Sequence, residues 1–315
     1  MRILIIGAAG FVGGHLINYL NSVEDGPLYV TRLPNEFIEN ANIKEGCNLV
    51  LDVCDENQVE NLLRVVKPEY IFHLAAQSSV SLSWKEPALT YKVNVVGSIN
   101  ILESIRRLQL KSRILIIGSA EEYGQVKLKE LPISEDTKIM PSNPYAISKV
   151  SQEMISLMYV ETYAMDIVMV RAFNHIGPGQ SPVFVISDFA KQIAEIESGK
   201  QEPRLLVGNL DAKRDLSDVR DIVRGYWALM QKGIKGEVYN IGTGVSYRIM
   251  ELLETMIDMS SCKIEIIVDP KKFRPSDIPE LRANITKITR DVMWEPKISI
   301  STSLKDILDY WRSKC

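Results

Sequence analysis

The stretch Met1–Leu16, "MRILIIGAAGFVGGHL", decides how the rest of the chain is read. Residues 2–7, "RILIIG", form a short apolar run that suits a strand covered on both faces. Gly7, Gly10 and Gly13 then give G-x-x-G-x-x-G, where the strand passes into a helix predicted over 11–22. Glycines so placed allow a tight turn, close approach of the backbone to a pyrophosphate, and close helix–sheet packing. The helix N-terminus adds free N–H groups and partial positive charge. Three spaced glycines alone are a weak signal. At the first strand-to-helix turn of a βαβ chain they read as a dinucleotide site. The same residues do not read as a secretory leader, having a single Arg and no small-residue cleavage site.

Working outward, further apolar runs predict strands at 27–32, 48–53, 70–76, 113–119 and 166–173. Helices are predicted over 55–66, with Asp55 as N-cap, near 88–108, and over 144–164. This alternation predicts an α/β fold, a doubly wound parallel sheet of the Rossmann type. Beyond Arg171 the pattern changes at the loop "GPGQSP" (177–182). A helix over 185–199, a strand at 204–207, a helix over 218–231 and a strand at 237–242 follow. We read 1–172 plus 218–243 as the dinucleotide-binding domain. The pieces 173–217 and 244–315 form a smaller mixed α/β substrate domain.

With 315 residues the chain can bury a large core without staples. The net charge of −3 offers no basic field for nucleic acid or a membrane surface. Lys127–Lys129 and Lys271-Lys272, the nearest things to basic clusters, are read as solvated faces. Cys47, Cys54, Cys262 and Cys315 make no C-x-x-C pair and suit no zinc site, so no metal is expected. Unpaired cysteines predict a cytoplasmic chain, and no run approaches the ~20 apolar residues of a bilayer span.

An NAD site usually carries an acidic residue about 20 positions after the glycines, for the ribose 2′-OH. The second strand here ends Val30-Thr31-Arg32-Leu33, without one. Arg32 can instead meet a 2′-phosphate, which favours NADP(H), with NAD(H) as the alternative. Asp52, after the third strand, reads either as an adenine contact or as a turn-initiating Asp.

Tyr-x-x-x-Lys occurs at Tyr123/Lys127, Tyr145/Lys149 and Tyr310/Lys314, so the spacing alone decides nothing. Tyr123 is followed by Gly124, and Tyr310 lies near the C-terminus. Tyr145/Lys149 follows Asn143, a good cap, and Pro144, suited to a first helical position. That pair is predicted on one helical face. A tyrosine has a reference pKa near ~10, which a nearby ammonium and the positive ring of an oxidised nicotinamide would lower; Lys149 is placed to supply the ammonium and to hold the ribose. Ser119 ends the fifth strand, at the carboxyl edge where such sheets bind ligands, and can orient a reacting oxygen.

Together these residues resemble the extended short-chain dehydrogenase/reductase (NAD-dependent epimerase/dehydratase) family. The likeness runs through "GAAGFVG", Asp52-Val53, "HLAAQSSV", Asn94, "GSAEEYG", "NPYAISK", "RAFNHIGPGQ", "RDLSDVRD", "YNIGTG" and "RPSDIP". It implies Ser119, Tyr145 and Lys149 as the catalytic trio. It implies Gly7, Gly10, Phe11, Val12, Gly13, Val53, Leu74, Ala75 and Ala76 at the cofactor. Asn174, Asn209, Arg214 and Arg274 match positions that hold a sugar nucleotide. "FNHIGPGQS" and "VGNLDAKRD" are most similar to members acting on GDP-mannose derivatives. The resemblance therefore implies a GDP-sugar substrate. The expected reaction is reduction of the 4-keto group of GDP-4-keto-6-deoxy-D-mannose to GDP-D-rhamnose. A 4,6-dehydratase or 4-epimerase is the alternative, because Glu121 stands where the dehydratases place an acid/base Glu. A homodimer through a four-helix bundle of 88–108 and 144–164 is also implied.

Overall fold

The computed structural model describes residues 1–38, 43–272 and 278–315. β1 (Ile3–Ile6) turns through the glycines into α1 (Phe11–Val23). β2 (Leu28–Arg32), β3 (Asn48–Val50), α2 (Glu56–Val66) and β4 (Tyr70–His73) follow. Asp55 caps α2 as its sequence predicts, its carboxylate accepting from the Gln58 amide. α3 (Val80–Lys85) and α4 (Pro87–Tyr91) lead into one π-helical turn at Lys92–Val96, then α5 (Gly97–Arg107). The sequence pattern over 88–108 reads as one regular helix. The widened turn holds Asn94, a fully buried side chain that accepts from the Gln77 amide and donates to Ser148 Oγ. A π turn of this sort marks a place where helix regularity yields to a specific contact.

β5 (Arg113–Ser119), α6 (Pro144–Tyr163) and β6 (Asp166–Ala172) continue the winding. β7 (Asn174–Ile176), α7 (Val185–Glu197), β8 (Arg204–Val207), β9 (Lys213–Asp218) and α8 (Val219–Lys232) form the excursion that follows. β10 (Val238–Ile241) then returns to the main sheet, beside β6. The seven strands lie in the order β10-β6-β5-β4-β1-β2-β3, all neighbours parallel. Alternate residues of β1 face opposite cores. Ile3 and Ile5 pack with Leu16 and Val223, while Leu4 and Ile6 pack with Leu63 and Ile101. A sheet buried on both faces needs apolar runs of the kind the sequence shows.

β11 (Ser246–Arg248), α9 (Ile249–Asp258), β12 (Glu265–Val268), β13 (Glu280–Leu281), α10 (Thr286–Val292) and α11 (Ile300–Lys314) complete the chain. β9 pairs with β7, β11 and β13, and β8 pairs with β12. A separate core gathers Phe189, Leu205, Leu253 and Ile307. Within 244–315, however, Ile288, Val292 and Trp294 pack into the core of the large sheet, so that stretch serves both cores. Among the described residues no helix is long and apolar enough to cross a membrane.

Candidate active site

Strand order reverses between β1 and β4, which opens a crevice at their carboxyl ends. Gly7 sits there at φ +85°, and a Cβ on it would stand 2.5 Å from the Ala75 amide nitrogen. Only glycine fits both the dihedral and the space. A Cβ on Gly13 would lie 2.3 Å from the Ala8 carbonyl oxygen, so this glycine lets α1 press against the turn. Thr31, buried in β2, ties the loop down. Its hydroxyl accepts from the Gly7 amide at 3.1 Å and its carbonyl from Ala8 at 2.8 Å. The first turn of α1 has no side-chain cap, which leaves its dipole end to a ligand. Gly7→Ala is expected to cost about 2–4 kcal/mol through the left-handed backbone and the backbone collision. A thermal melt reads the loss, and an unchanged midpoint would contradict it.

The crevice widens into a cleft of ≈ 830 Å³, a size suited to small-molecule ligands. Its wall includes Gly7, Gly10, Phe11, Val12 and Gly13, then Arg32, Asp52, Val53, Leu74, Ala75 and Ala76. The sequence-named residues Ser119, Glu121, Tyr145, Lys149, Asn174, Asn209 and Arg214 line the same cleft. Arg274 lies outside the described residues. Arg32 ends β2 with Nε donating to Asn48 Oδ1 at 3.2 Å, and Nη1 to the Leu33 and Pro34 carbonyls. Asp52 borders the cleft, and its carboxylate accepts from the Cys54 amide in a turn.

Asn143 caps α6 by accepting from the Ala146 amide at 2.8 Å. Tyr145 and Lys149 thereby stand one turn apart on a fixed helix, buried beside Ser119. Burial pushes the Tyr145 phenol up, a hydrogen bond with Ser119 pulls it back, and the charges of Glu121 and Glu122 add to the rise. The sequence expectation is a phenol lowered by Lys149 together with a nicotinamide ring, and the protein's own groups do not lower it. In the structure Lys149 Nζ donates to the Ile117 carbonyl at 2.7 Å and to Gln152 Oε1 at 3.0 Å. Burial lowers Lys149 itself to about 8, with Glu122 opposing the drop. Among the protein's own groups desolvation therefore dominates, and Tyr145 holds its proton at neutral pH.

Glu121 is half-buried and accepts from Asn143 Nδ2 at 3.0 Å. Asn143 thus caps α6 and holds the Glu121 carboxylate, a second role that its sequence position does not show. Tyr123 belongs to the frame. Its hydroxyl donates to Asn240 Oδ1 at 2.7 Å and accepts from Arg171 Nη1 at 2.9 Å, while Lys127 is exposed. Tyr310 and Lys314 lie on α11 (Ile300–Lys314), away from this site. They share a face of α11, the ammonium 5.6 Å from the ring centroid, but neither borders the cleft.

On the far wall, Arg214 Nη1 donates to the Lys213 and Ile278 carbonyls. Two acids near it in sequence are occupied elsewhere. Asp218 is gripped by Arg220, and Asp215 accepts from Thr243, Gly244 and Ala283. Lys271 and Lys272 are exposed, as their sequence suggests, yet they border the cleft. Lys272 bridges Asp188 at 2.6 Å, a pairing 84 residues apart that no local pattern reveals.

The whole chain has relatives among known proteins. The family model described as GDP-mannose 4,6 dehydratase matches residues 4–307. GDP-6-deoxy-D-mannose reductase of Pseudomonas aeruginosa is 34% identical over 313 residues, covering 99% of this chain and 98% of that protein. GDP-mannose 4,6-dehydratase of Sinorhizobium fredii is 33% identical over 270 residues, covering 78% and 76%. The solved structure of RMD from Pseudomonas aeruginosa complexed with NADPH superposes with a TM-score of 0.88 at 33% identity, covering 100% of this chain and 99% of that one. The chain belongs to the GDP-mannose 4,6-dehydratase family, a branch of the extended short-chain dehydrogenase/reductases whose members are nicotinamide-dependent enzymes of nucleotide sugars.

Proposed function

We propose that this enzyme reduces the 4-keto group of GDP-4-keto-6-deoxy-D-mannose, giving GDP-D-rhamnose at the expense of NADPH. The observation that carries the reading is the placement of the Tyr145 phenol, buried beside Ser119 on the cleft wall. A ketone receiving hydride needs a proton at its oxygen, and a phenol, with a reference pKa near ~10, has one to give at neutral pH. The end-to-end likeness to a GDP-6-deoxy-D-mannose reductase supports the same choice.

Bound NADPH would supply the hydride for C4. The turn at Gly7, Gly10 and Gly13 would hold the pyrophosphate, with Phe11, Val12, Val53, Leu74, Ala75 and Ala76 along the dinucleotide and Asp52 toward adenine. Ser119 orients the keto oxygen, Tyr145 gives it a proton, and Lys149 holds the ribose. Asn174, Asn209, Arg214 and Arg274 bind the GDP-sugar, with arginine suited to the pyrophosphate. In this reading the dinucleotide rests on 1–172 plus 218–243, and the sugar nucleotide on 173–217 plus 244–315. A homodimer fits the exposed Ile147, Met154 and Met158 of α6 and the exposed Leu89 and Val96 of the neighbouring helices. Cytoplasmic residence accords with the four unpaired cysteines.

A GDP-mannose 4,6-dehydratase is the second reading, favoured by Glu121 on the cleft wall. A dehydratase needs that carboxylate to take a proton from C5. Supplying GDP-4-keto-6-deoxy-D-mannose with NADPH separates the two. Loss of the reduced-nicotinamide absorbance supports the reductase. Formation of the keto sugar from GDP-mannose, without NADPH oxidation, overturns it.

Arg32 supports NADP(H) over NAD(H), since a 2′-phosphate would meet its guanidinium at the end of β2. Arg32→Ala is expected to weaken NADPH roughly 10- to 100-fold, the worth of one or two charge-assisted hydrogen bonds. NADH affinity should barely move. Equal losses in fluorescence titrations of both cofactors would remove the argument.

A further inference from the structure

Two adjacent carboxylates, Glu121 and Glu122, follow Ser119 and Ala120, and the mechanism above gives Glu122 no part. Glu122 is fully buried. Its Oε1 accepts the Ser119 amide at 2.6 Å. Its Oε2 has no hydrogen-bond partner among the described residues, and the Arg171 Nε stands 3.8 Å away. Gly118 makes room for this carboxylate, because a Cβ there would lie 2.4 Å from Oε1. Lys149 holds the Ile117 carbonyl, so the acid and the amine grip β5 on either side of Gly118. In an extended strand the carbonyl of one residue and the amide of the second residue on point to the same edge.

We propose that Glu122 is a positioning residue of the active site, fixing the Ser119 turn and serving as the counter-charge that keeps Lys149 protonated. The inference rests on the reading of Ser119, Tyr145 and Lys149 as catalytic.

Arg171 of β6 is held bidentately by Glu153 of α6, at 2.9 and 2.6 Å, which commits most of its charge to that partner. Lys149, from the same α6, is the other cation among the described residues that acts on Glu122. Glu121 and Glu122 both act on Tyr145, and the charge of Lys149 is felt by His73 of β4. Burial and the neighbouring Glu153 raise the Glu122 carboxyl to about 8, with Arg171 and Lys149 opposing. Burial brings Lys149 down to about 8, with Glu122 pulling it up. Each charge favours the other, so removing the acid makes the ammonium lose its proton at lower pH.

Glu122→Gln tests this, because the amide oxygen can still accept from Ser119 while the charge is gone. NADPH affinity and turnover would be followed from about pH 6 to about pH 9.5, a range that brackets the titration of the pair. The expected result is near-normal binding at the acid end, with the alkaline limb of both profiles moved to acid by about one pH unit or more. Profiles that superpose on those of the unaltered enzyme, with only the melting temperature lowered, would reduce Glu122 to a structural residue and overturn the proposal. The binding profile needs no sugar. If the substrate assigned above is wrong, turnover is silent in both proteins, and the NADPH profile alone still decides whether Glu122 sustains the charge of Lys149.

Discussion

Tyr145→Phe is expected to lower kcat by about 10²–10⁴, the usual worth of a positioned proton donor, while NADPH binding stays within about threefold. The ring fills the same buried space, so the helix and cleft should persist. Only the hydroxyl that meets Ser119 is lost. In the proposed reaction that proton is transferred in the transition state, so kcat should fall while the KM for the sugar changes little. Stopped-flow oxidation of NADPH in single turnover isolates the step. Retained turnover would show that another group protonates the oxygen, and Glu121 would become the first suspect. The pH dependence has a defined sign. Burial holds the phenol above its ordinary value, so the donor stays loaded across the neutral range. An alkaline decline therefore comes from Lys149, whose ammonium is pushed down to about 8.

Arg171→Met is the substitution with the largest expected cost in stability, about 3–5 kcal/mol. The guanidinium makes two bonds to Glu153, donates to the Tyr123 hydroxyl and the Glu135 carbonyl, and lies 4.9 Å over the Tyr123 ring. Its side chain is 5% exposed, that of Glu153 6% and that of Glu122 0%. Methionine fills much of the volume but strands the Glu153 carboxylate, whose bidentate partner is gone, in a dry interior. Denaturant titration measures the loss. A loss under about 1 kcal/mol, the range of exposed ion pairs, would mean that water reaches the site.

Legibility in the sequence follows the range of the forces involved. Elements of the sheet are legible because burial on both faces imposes apolar runs such as Ile3–Ile6 and Ile167–Val170. The glycine turn is legible because backbone geometry leaves no choice at Gly7. Tyr145 and Lys149 separate from two rival pairs through the cap at Asn143, and the structure places that pair on the cleft. What stays hidden depends on partners far along the chain. Glu121 and Glu122 look alike in "GSAEEYG", yet one borders the cleft and the other is sealed beneath it. The direction of the Tyr145 shift runs against the sequence expectation, because spacing shows Lys149 nearby but not that its ammonium turns to Ile117 and Gln152. Lys272 gives no signal, since its partner Asp188 lies on another helix.

The late return of β10 shapes how the chain is built. During synthesis β6 is complete roughly 65 residues before Val238 emerges, so its apolar run "DIVMVRA" waits as a bare sheet edge. Asn240 of β10 also supplies the acceptor for the Tyr123 hydroxyl, and its amide satisfies Glu135. The buried charges around Arg171 are thus fully enclosed only when this strand docks. Such non-local closure is slow, and the interval before it is when the nascent chain is most prone to pair with a neighbour.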